Sequence, residues 1–166
     1  MELKARIKAS GKLLQGKGPE IVQKNADEFI ETAVLYLQAE VKQRTPVGVH
    51  GAEGGLLSTI LTEVFDKGTP HIKGIVTSNS AYALPVEKGT KPHMPPTDPI
   101  KLWVQKRLGI EDEKESRQVA FAIAMKMKKK GTKGQFMFQN AWDKNLPKLR
   151  RMARELGFKI TKELSQ

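Results

Sequence analysis

From Glu20 to Arg44 apolar residues recur three or four apart, at Val22, Ala26, Phe29, Ala33, Leu37 and Val41, while Lys24, Asp27, Glu31, Gln38 and Lys42 take the other face. This is the pattern of an amphipathic helix, and at 1.5 Å per residue it predicts a rod about 37 Å long. Pro19 stands at its first turn, where a missing N–H costs nothing, and Thr45 before Pro46 is pushed out of helical geometry, which ends it. Ahead of it Glu2, Lys4, Arg6 and Lys8 alternate with Leu3, Ala5, Ile7 and Ala9, the period of a half-buried strand, although Leu3, Ile7 and Leu14 also fit a helical repeat. Gly11, Gly16 and Gly18 break that pattern.

Beyond the glycine-rich stretch 47–55, expected as a flexible loop, two β-like segments follow, Leu57 to Asp66 and His71 to Asn79. Ile60, Thr62, Val64, Ile72, Ile75, Val76 and Thr77 supply branched side chains suited to a pleated surface, and the turn Lys67 to Pro70 predicts an antiparallel hairpin. Tyr82 to Thr90 reads as a short helical turn closed by Gly89, and the four prolines in 91–99 hold the chain extended. Asp98 with Pro99 signals the start of a helix that Gly109 stops. Another is expected from about Asp112 to Lys130, with Glu111, Asp112 and Glu113 at its start and Lys128, Lys129 and Lys130 at its end, as the helix dipole favours. Gly131 and Gly134 end it. Phe136 to Trp142 reads as an apolar cluster. The stripe Leu149, Met152, Ala153 and Leu156 predicts a last helix from Leu146 to about Leu156, with the tail 157–166 unassigned. The fold class is therefore α+β: a small antiparallel β-sheet packed by one long helix of the N-terminal half, with additional helices in the C-terminal half.

Length adds that the 166 residues make one domain's worth of chain, expected to span 1–166. With no cysteine there is no disulfide framework and no thiolate chemistry, so a reducing cytoplasm is expected. The longest apolar run, Val119 to Met125, is far short of the ~20 residues that span a bilayer, and no membrane partner is expected. The net charge of +11 is lopsided: residues 1–66 hold 8 basic and 9 acidic groups, residues 67–166 hold 21 and 9. Such a field suits a polyanion or simply solubility.

Chemistry is sparse. His50, His71 and His93 fall in loops and form no paired ligand motif, although His50, Glu53 and His93 are the set a metal-assisted hydrolase would use. The glycines of 48–55 are not followed by the Gly-Lys-Ser/Thr of a phosphate loop. No catalytic residue, metal ligand or cofactor is assigned. The basic clusters Lys126, Lys128, Lys129, Lys130, Lys133 and Lys144, Lys148, Arg150, Arg151, Arg154 serve equally as phosphate contacts or as solvated helix ends. Phe136, Phe138 and Trp142 fit packing better than base stacking.

Four segments carry a resemblance. Thr45-Pro-Val47, Gly55-Leu-Leu-Ser58, Ser80-Ala-Tyr-Ala-Leu-Pro-Val-Glu-Lys-Gly-Thr90 and Pro92-His-Met-Pro-Pro96, followed by Gly131-Thr-Lys-Gly-Gln-Phe136 and Ala141-Trp142, resemble the tail-component family of long-tailed bacteriophages, the neck, tail-completion or head–tail joining proteins. The upstream family motif usually carries Asp-Thr and an arginine; here a longer loop replaces the first and Leu57 the second. The resemblance implies a non-enzymatic virion protein, assembled in the host bacterial cytoplasm as a closed ring of about six copies at the head–tail junction. Its partners would be head-closure or connector proteins, tail-tube or tail-terminator proteins, and the genomic DNA passing through. It implies assembly roles for Thr45, Pro46, Gly55, Leu56, Ser58, Tyr82, Ala83, Val86, Glu87, Gly89, Thr90 and Pro92. Lys126, Lys128, Lys129, Lys130, Lys133, Arg150 and Arg151 would face DNA, and a sequence-independent DNA-binding protein is the alternative. Four apart on a helical turn, Tyr82 and Val86 are expected to bury together.

Overall fold

The computed structural model describes residues 2–4, 18–48 and 55–164. Its elements run β1 (Glu2–Lys4), α1 (Gly18–Arg44), a 3-10 turn (Leu56–Thr59), β2 (Ile60–Phe65), β3 (Lys73–Ser78), α2 (Ala83–Lys88), β4 (Gly89–Thr90), α3 (Thr97–Leu108), α4 (Glu113–Lys130), β5 (Thr132–Lys133) and α5 (Met137–Leu164). The architecture is mixed α and β, with a three-stranded sheet and a two-stranded ribbon among the described residues. The chain gathers into two compact units, one formed by Met1–Arg44, Ile60–Thr77 and Phe138–Gln166, the other by Thr45–Thr59 and Ser78–Met137.

In the first unit α1 lies on the sheet, whose strand order is β1-β3-β2 with β1 antiparallel to β3 and Glu2 opposite Ile75. The buried stripe keeps Ala26, Ala33, Leu37 and Val41 of the predicted one and adds Ile30 and Val34, which pack toward Ile60, Ile72 and Val76, while Val22 and Phe29 at its edge are only half-buried. Along Ile72, Gly74 and Val76 the inward positions alternate, as a strand requires. Gly74 lets β3 approach α1 closely, because a methyl there would collide with Val34 Cγ1 and lie 2.9 Å from Ile30 Cγ2. The tip of the β2–β3 hairpin is tied to the same helix: the Gly68 N–H donates to the Asp27 carboxylate at 3.1 Å, and Lys67 pairs with Glu31.

Helix α5 runs antiparallel to α1, which follows from three ties in opposite chain order. Asn145 donates to Glu40 at 2.9 Å, Lys159 pairs with Glu28 at 3.1 Å, and Asn25 donates to Glu163 at 2.8 Å. The helix begins nine residues before the predicted Leu146 and passes through both Pro147 and Gly157 to Leu164. Sequence breakers fail here because Ala141, Asn145, Leu149 and Ile160 keep one buried stripe, while Pro147 sits on the exposed side, where water can reach the carbonyl it leaves unpaired.

The second unit is a pair of helices, α3 and α4, beside a ribbon of two-residue strands. Its ends match the sequence signals: Asp112 Oδ1 accepts the Glu115 N–H at 2.7 Å as the α4 cap, and Gly109 closes α3 in the left-handed conformation. One boundary differs. Helix α3 starts at Thr97 after Pro96, so Asp98 is a first-turn carboxylate at the positive helix end, not the cap, and Pro99 is tolerated within the same turn. The core is thin, with Val104, Ala120, Ala124 and Met137 buried alongside Thr45 and Ser116. The strand expected over the first residues appears as Glu2–Lys4; its continuation, and His50 and Glu53 of the loop, lie outside the described residues.

Candidate functional site

The motif residues that carry the resemblance from Thr45 to Phe136 belong to the second unit, and Ala141 and Trp142 to the first. Thr45 is buried and its hydroxyl donates to Met137 Sδ at 3.3 Å. Pro46 is exposed; Ser58 turns back to donate to the Gly55 carbonyl at 2.9 Å, and Leu56 is half-buried in that turn.

The segment 82–90 meets the segment 131–136 through its backbone. The Gln135 N–H donates to the Val86 carbonyl at 2.8 Å and the Phe136 N–H to the Glu87 carbonyl at 3.0 Å. Gly89 and Thr90 then pair antiparallel with Lys133 and Thr132. The Thr90 N–H donates to Thr132 Oγ1 at 3.0 Å, and the two threonine hydroxyls share a further 3.0 Å bond. Two strand residues on each side would be a weak ribbon by themselves. Glycines permit the close approach: a methyl on Gly89 would collide with the Thr132 carbonyl, one on Gly131 with the Thr90 carbonyl, and one on Gly134 would lie 2.5 Å from the Glu87 carbonyl. Gly89 and Gly131 also hold φ of 79° and 67°, which residues with a Cβ rarely adopt. The result is a clasp in which both segments are locked main chain to main chain. Phe136, with φ 51°, is the strained member, and α5 begins immediately after it.

Two expectations at this site change. Tyr82 does not bury with Val86; it occupies the N-cap position of a six-residue helix and is 75% exposed, while Val86 is half-buried. The helical turn itself forms, with the Val86 N–H donating to the Tyr82 carbonyl at 3.0 Å, but the ring lies in solvent. Phe136 leaves the expected apolar cluster as well, at 43% exposure, because its backbone is held by the clasp. Sequence reasoning singled out Gly89 but passed over Gly131 and Gly134 as simple helix terminators; the available signal was three glycines in two segments that have to meet.

Of the basic residues, Lys126, Lys128, Lys129, Lys130 and Lys133 are all exposed and gathered at the C-terminal end of α4 and just beyond it. No ion pair is formed by any of the five among the described residues. Arg150 and Arg151 are exposed on α5 in the other unit, Arg151 lying 3.9 Å from Glu155. His93 bonds the Lys91 carbonyl at 2.9 Å through Nδ1 and stands alone, and no group of three or more metal-ligating side chains occurs among the described residues. No described helix is long and apolar enough to cross a membrane. Glu113 is the perturbed carboxyl of this unit, drawn below its usual range first by a hydrogen bond from Lys101 at 2.9 Å and then by Arg117. Comparison with protein-family models, with curated proteins and with solved structures finds no match for the chain.

Proposed function

We propose that this protein is a non-enzymatic structural component of a phage virion, assembling as a ring at the head–tail junction, in the neck or at the completed tail end. In this reading its partners are further copies of itself, the head-closure or connector proteins, and the tail-tube or tail-terminator proteins. The basic side chains face the DNA in the passage. The observation that carries the reading is the clasp. The most specific segment of the resemblance, 82–90, and its closing segment, 131–136, lie more than forty residues apart, yet form one backbone-locked structure with glycines where a side chain would not fit. Short motifs that match by accident have no reason to complete each other in space. The exposed apolar side chains of the same unit, Tyr82 and Leu84 beside the clasp among them, are what an assembling surface needs.

Deletion of the gene from its phage should leave DNA-filled heads and separate tails that do not join, with joining restored by the purified protein. Normal infectious particles in its absence would defeat the proposal. A second reading, sequence-independent DNA binding, is favoured by the five unpaired lysines. Its signature is affinity for free duplex that falls steeply with salt, since each phosphate contact releases counterions.

A further inference from the structure

We infer that the outward face of α4 is a contact between copies of this chain, in which the lysine-rich end of one helix seats on the acidic end of the next. The inference rests on self-assembly in the reading above and not on the phage setting. Residues 111–115 place four carboxylates, Glu111, Asp112, Glu113 and Glu115, against one lysine, and residues 126–133 hold five lysines and no acid. Across 18 residues α4 is about 27 Å long. Side chains on a helix reach only three or four positions along it, so the two ends cannot neutralise each other within one molecule.

The helix's own needs account for part of the charge and leave the rest. Asp112 is committed to the cap, and Glu113 to Lys101 at 2.9 Å and Arg117 at 3.1 Å. Glu111, Glu115 and the five lysines remain exposed with no ion pair among the described residues. The macrodipole amounts to roughly half a charge at each end, which one lysine satisfies and five exceed.

Shape supplies the second argument. At the acidic end a groove of about 650 Å³ is lined by Asp112, Glu113, Lys114, Arg117, Gln118 and Phe121, and the Phe121 ring is 54% exposed. An exposed ring beside carboxylates complements a long aliphatic stem that ends in an ammonium. The groove lining itself is balanced, two carboxylates against Lys114 and Arg117, and the unpaired Glu111 and Glu115 beside it make the segment 111–117 net negative, four acids against two bases. The partner with several such stems in a row is the other end of this same helix. A polyanion would explain the lysines but would leave Glu111 and Glu115 without a partner. Because donor and acceptor surfaces differ, the contact is head-to-tail and generates a ring if the rotation closes.

The test uses two full-length variants, one carrying Lys128→Glu, Lys129→Glu and Lys130→Glu, the other Glu111→Lys and Glu115→Lys. None of these residues caps a helix or pairs internally, so wild-type circular dichroism is expected from both. Light scattering after size exclusion should show salt-sensitive assembly of the wild type and at least a tenfold weaker association for either variant alone. An equimolar mixture of the two should recover assembly by alternating them, since each contact between unlike variants is again opposite in sign. Wild-type behaviour of either variant, no recovery in the mixture, or a wild-type chain that stays monomeric at low salt would each overturn the inference. So would loss of duplex DNA binding in the first variant while the second assembles normally. None of these results bears on whether heads and tails join without the protein, so the two proposals fail separately.

Discussion

The two units of this chain handle apolar side chains in opposite ways. Among the described residues of the unit built on α1, α5 and the three-stranded sheet, twelve apolar residues are buried and four large ones are exposed, namely Leu35, Leu61, Phe65 and Phe158. Among those of the unit of α3, α4 and the clasp, Val104, Ala120, Ala124 and Met137 are buried with Pro95, while nine large apolar residues are exposed, Tyr82, Leu84, Trp103 and Phe121 among them. Burial contributes in proportion to the apolar area removed from water. The first unit is therefore held by its own core. The second has a small core that includes two alanines, and relies on close main-chain locking at glycines. If assembly resides in the second unit as proposed, substitutions should separate it from stability.

The largest effect is expected in the first unit. Leu37 is 1% exposed on the buried face of α1, and Leu37→Ala removes three heavy atoms from a packed site. It should lower unfolding free energy by about 2–5 kcal/mol, read from the denaturant midpoint. A cost below about 1 kcal/mol would mean that the core is looser than the burial implies.

Next is the clasp. Gly131→Ala adds a methyl at a left-handed φ and against the Thr90 carbonyl, and should cost about 2–3 kcal/mol. Gly48→Ala, with open space around it and an ordinary φ, is the control. Amide exchange should place the Gly131→Ala loss locally, with faster exchange at Gln135 and Phe136, whose N–H groups bond Val86 and Glu87. Exchange unchanged there while the α1 amides quicken would show that the two units share one stability.

These two regions also differ in how far they could be read in advance. Helix α1 announces itself because burial on one face imposes a period, and α4 because Asp112 and Gly131 are chemically specific ends. The clasp has no period, since β4 and β5 are two residues each. Its glycines look like any turn glycines until their partner segment, forty residues away, is in place. Helix α5 outruns its sequence stripe for the opposite reason: it runs through Pro147 and Gly157, held by Asn145, Leu149 and Ile160 through contacts that local propensity does not contain. The motif residues stand out by the resemblance alone. That those from Thr45 to Phe136 fall in one unit, and that Tyr82 points to solvent, needed coordinates.

A smaller effect probes the polar seam between α1 and α5. The Tyr36 hydroxyl donates to Asn145 Oδ1 at 2.5 Å, Asn145 donates to Glu40 at 2.9 Å, Arg44 pairs with Glu40 at 2.7 Å, and Lys148 lies 3.7 Å above the Tyr36 ring. Hydrogen bonds from Asn145 and then Arg44 hold the Glu40 carboxyl below its ordinary value of 4.5. A depressed folded value means that this stabilisation is complete above the unfolded value and fades as pH falls through the folded one. Acidification below 4.5 should therefore weaken the wild type more than Glu40→Gln, which has no carboxyl to protonate. Asn145→Ala removes the acceptor of the tyrosine hydroxyl and leaves the carboxylate to Arg44 alone, and should cost about 1–2 kcal/mol at neutral pH. Parallel pH profiles for Glu40→Gln and wild type would remove Glu40 from the acid response.

The smallest change in stability sharpens the comparison most. Phe121 is larger than Leu37, yet it is 54% exposed on α4. Phe121→Ser should lower unfolding free energy by about 1 kcal/mol or less, because more than half of the residue stays in water in the folded chain. If size alone set the consequence, Phe121→Ser would outweigh Leu37→Ala; burial predicts the reverse order. Self-association should fall with the ring's loss while thermal unfolding stays put, since the ring's apolar area is then removed from water only when a second copy covers it. A large destabilisation of the monomer, with association unchanged, would place Phe121 in the fold and erase the division of labour between the two units.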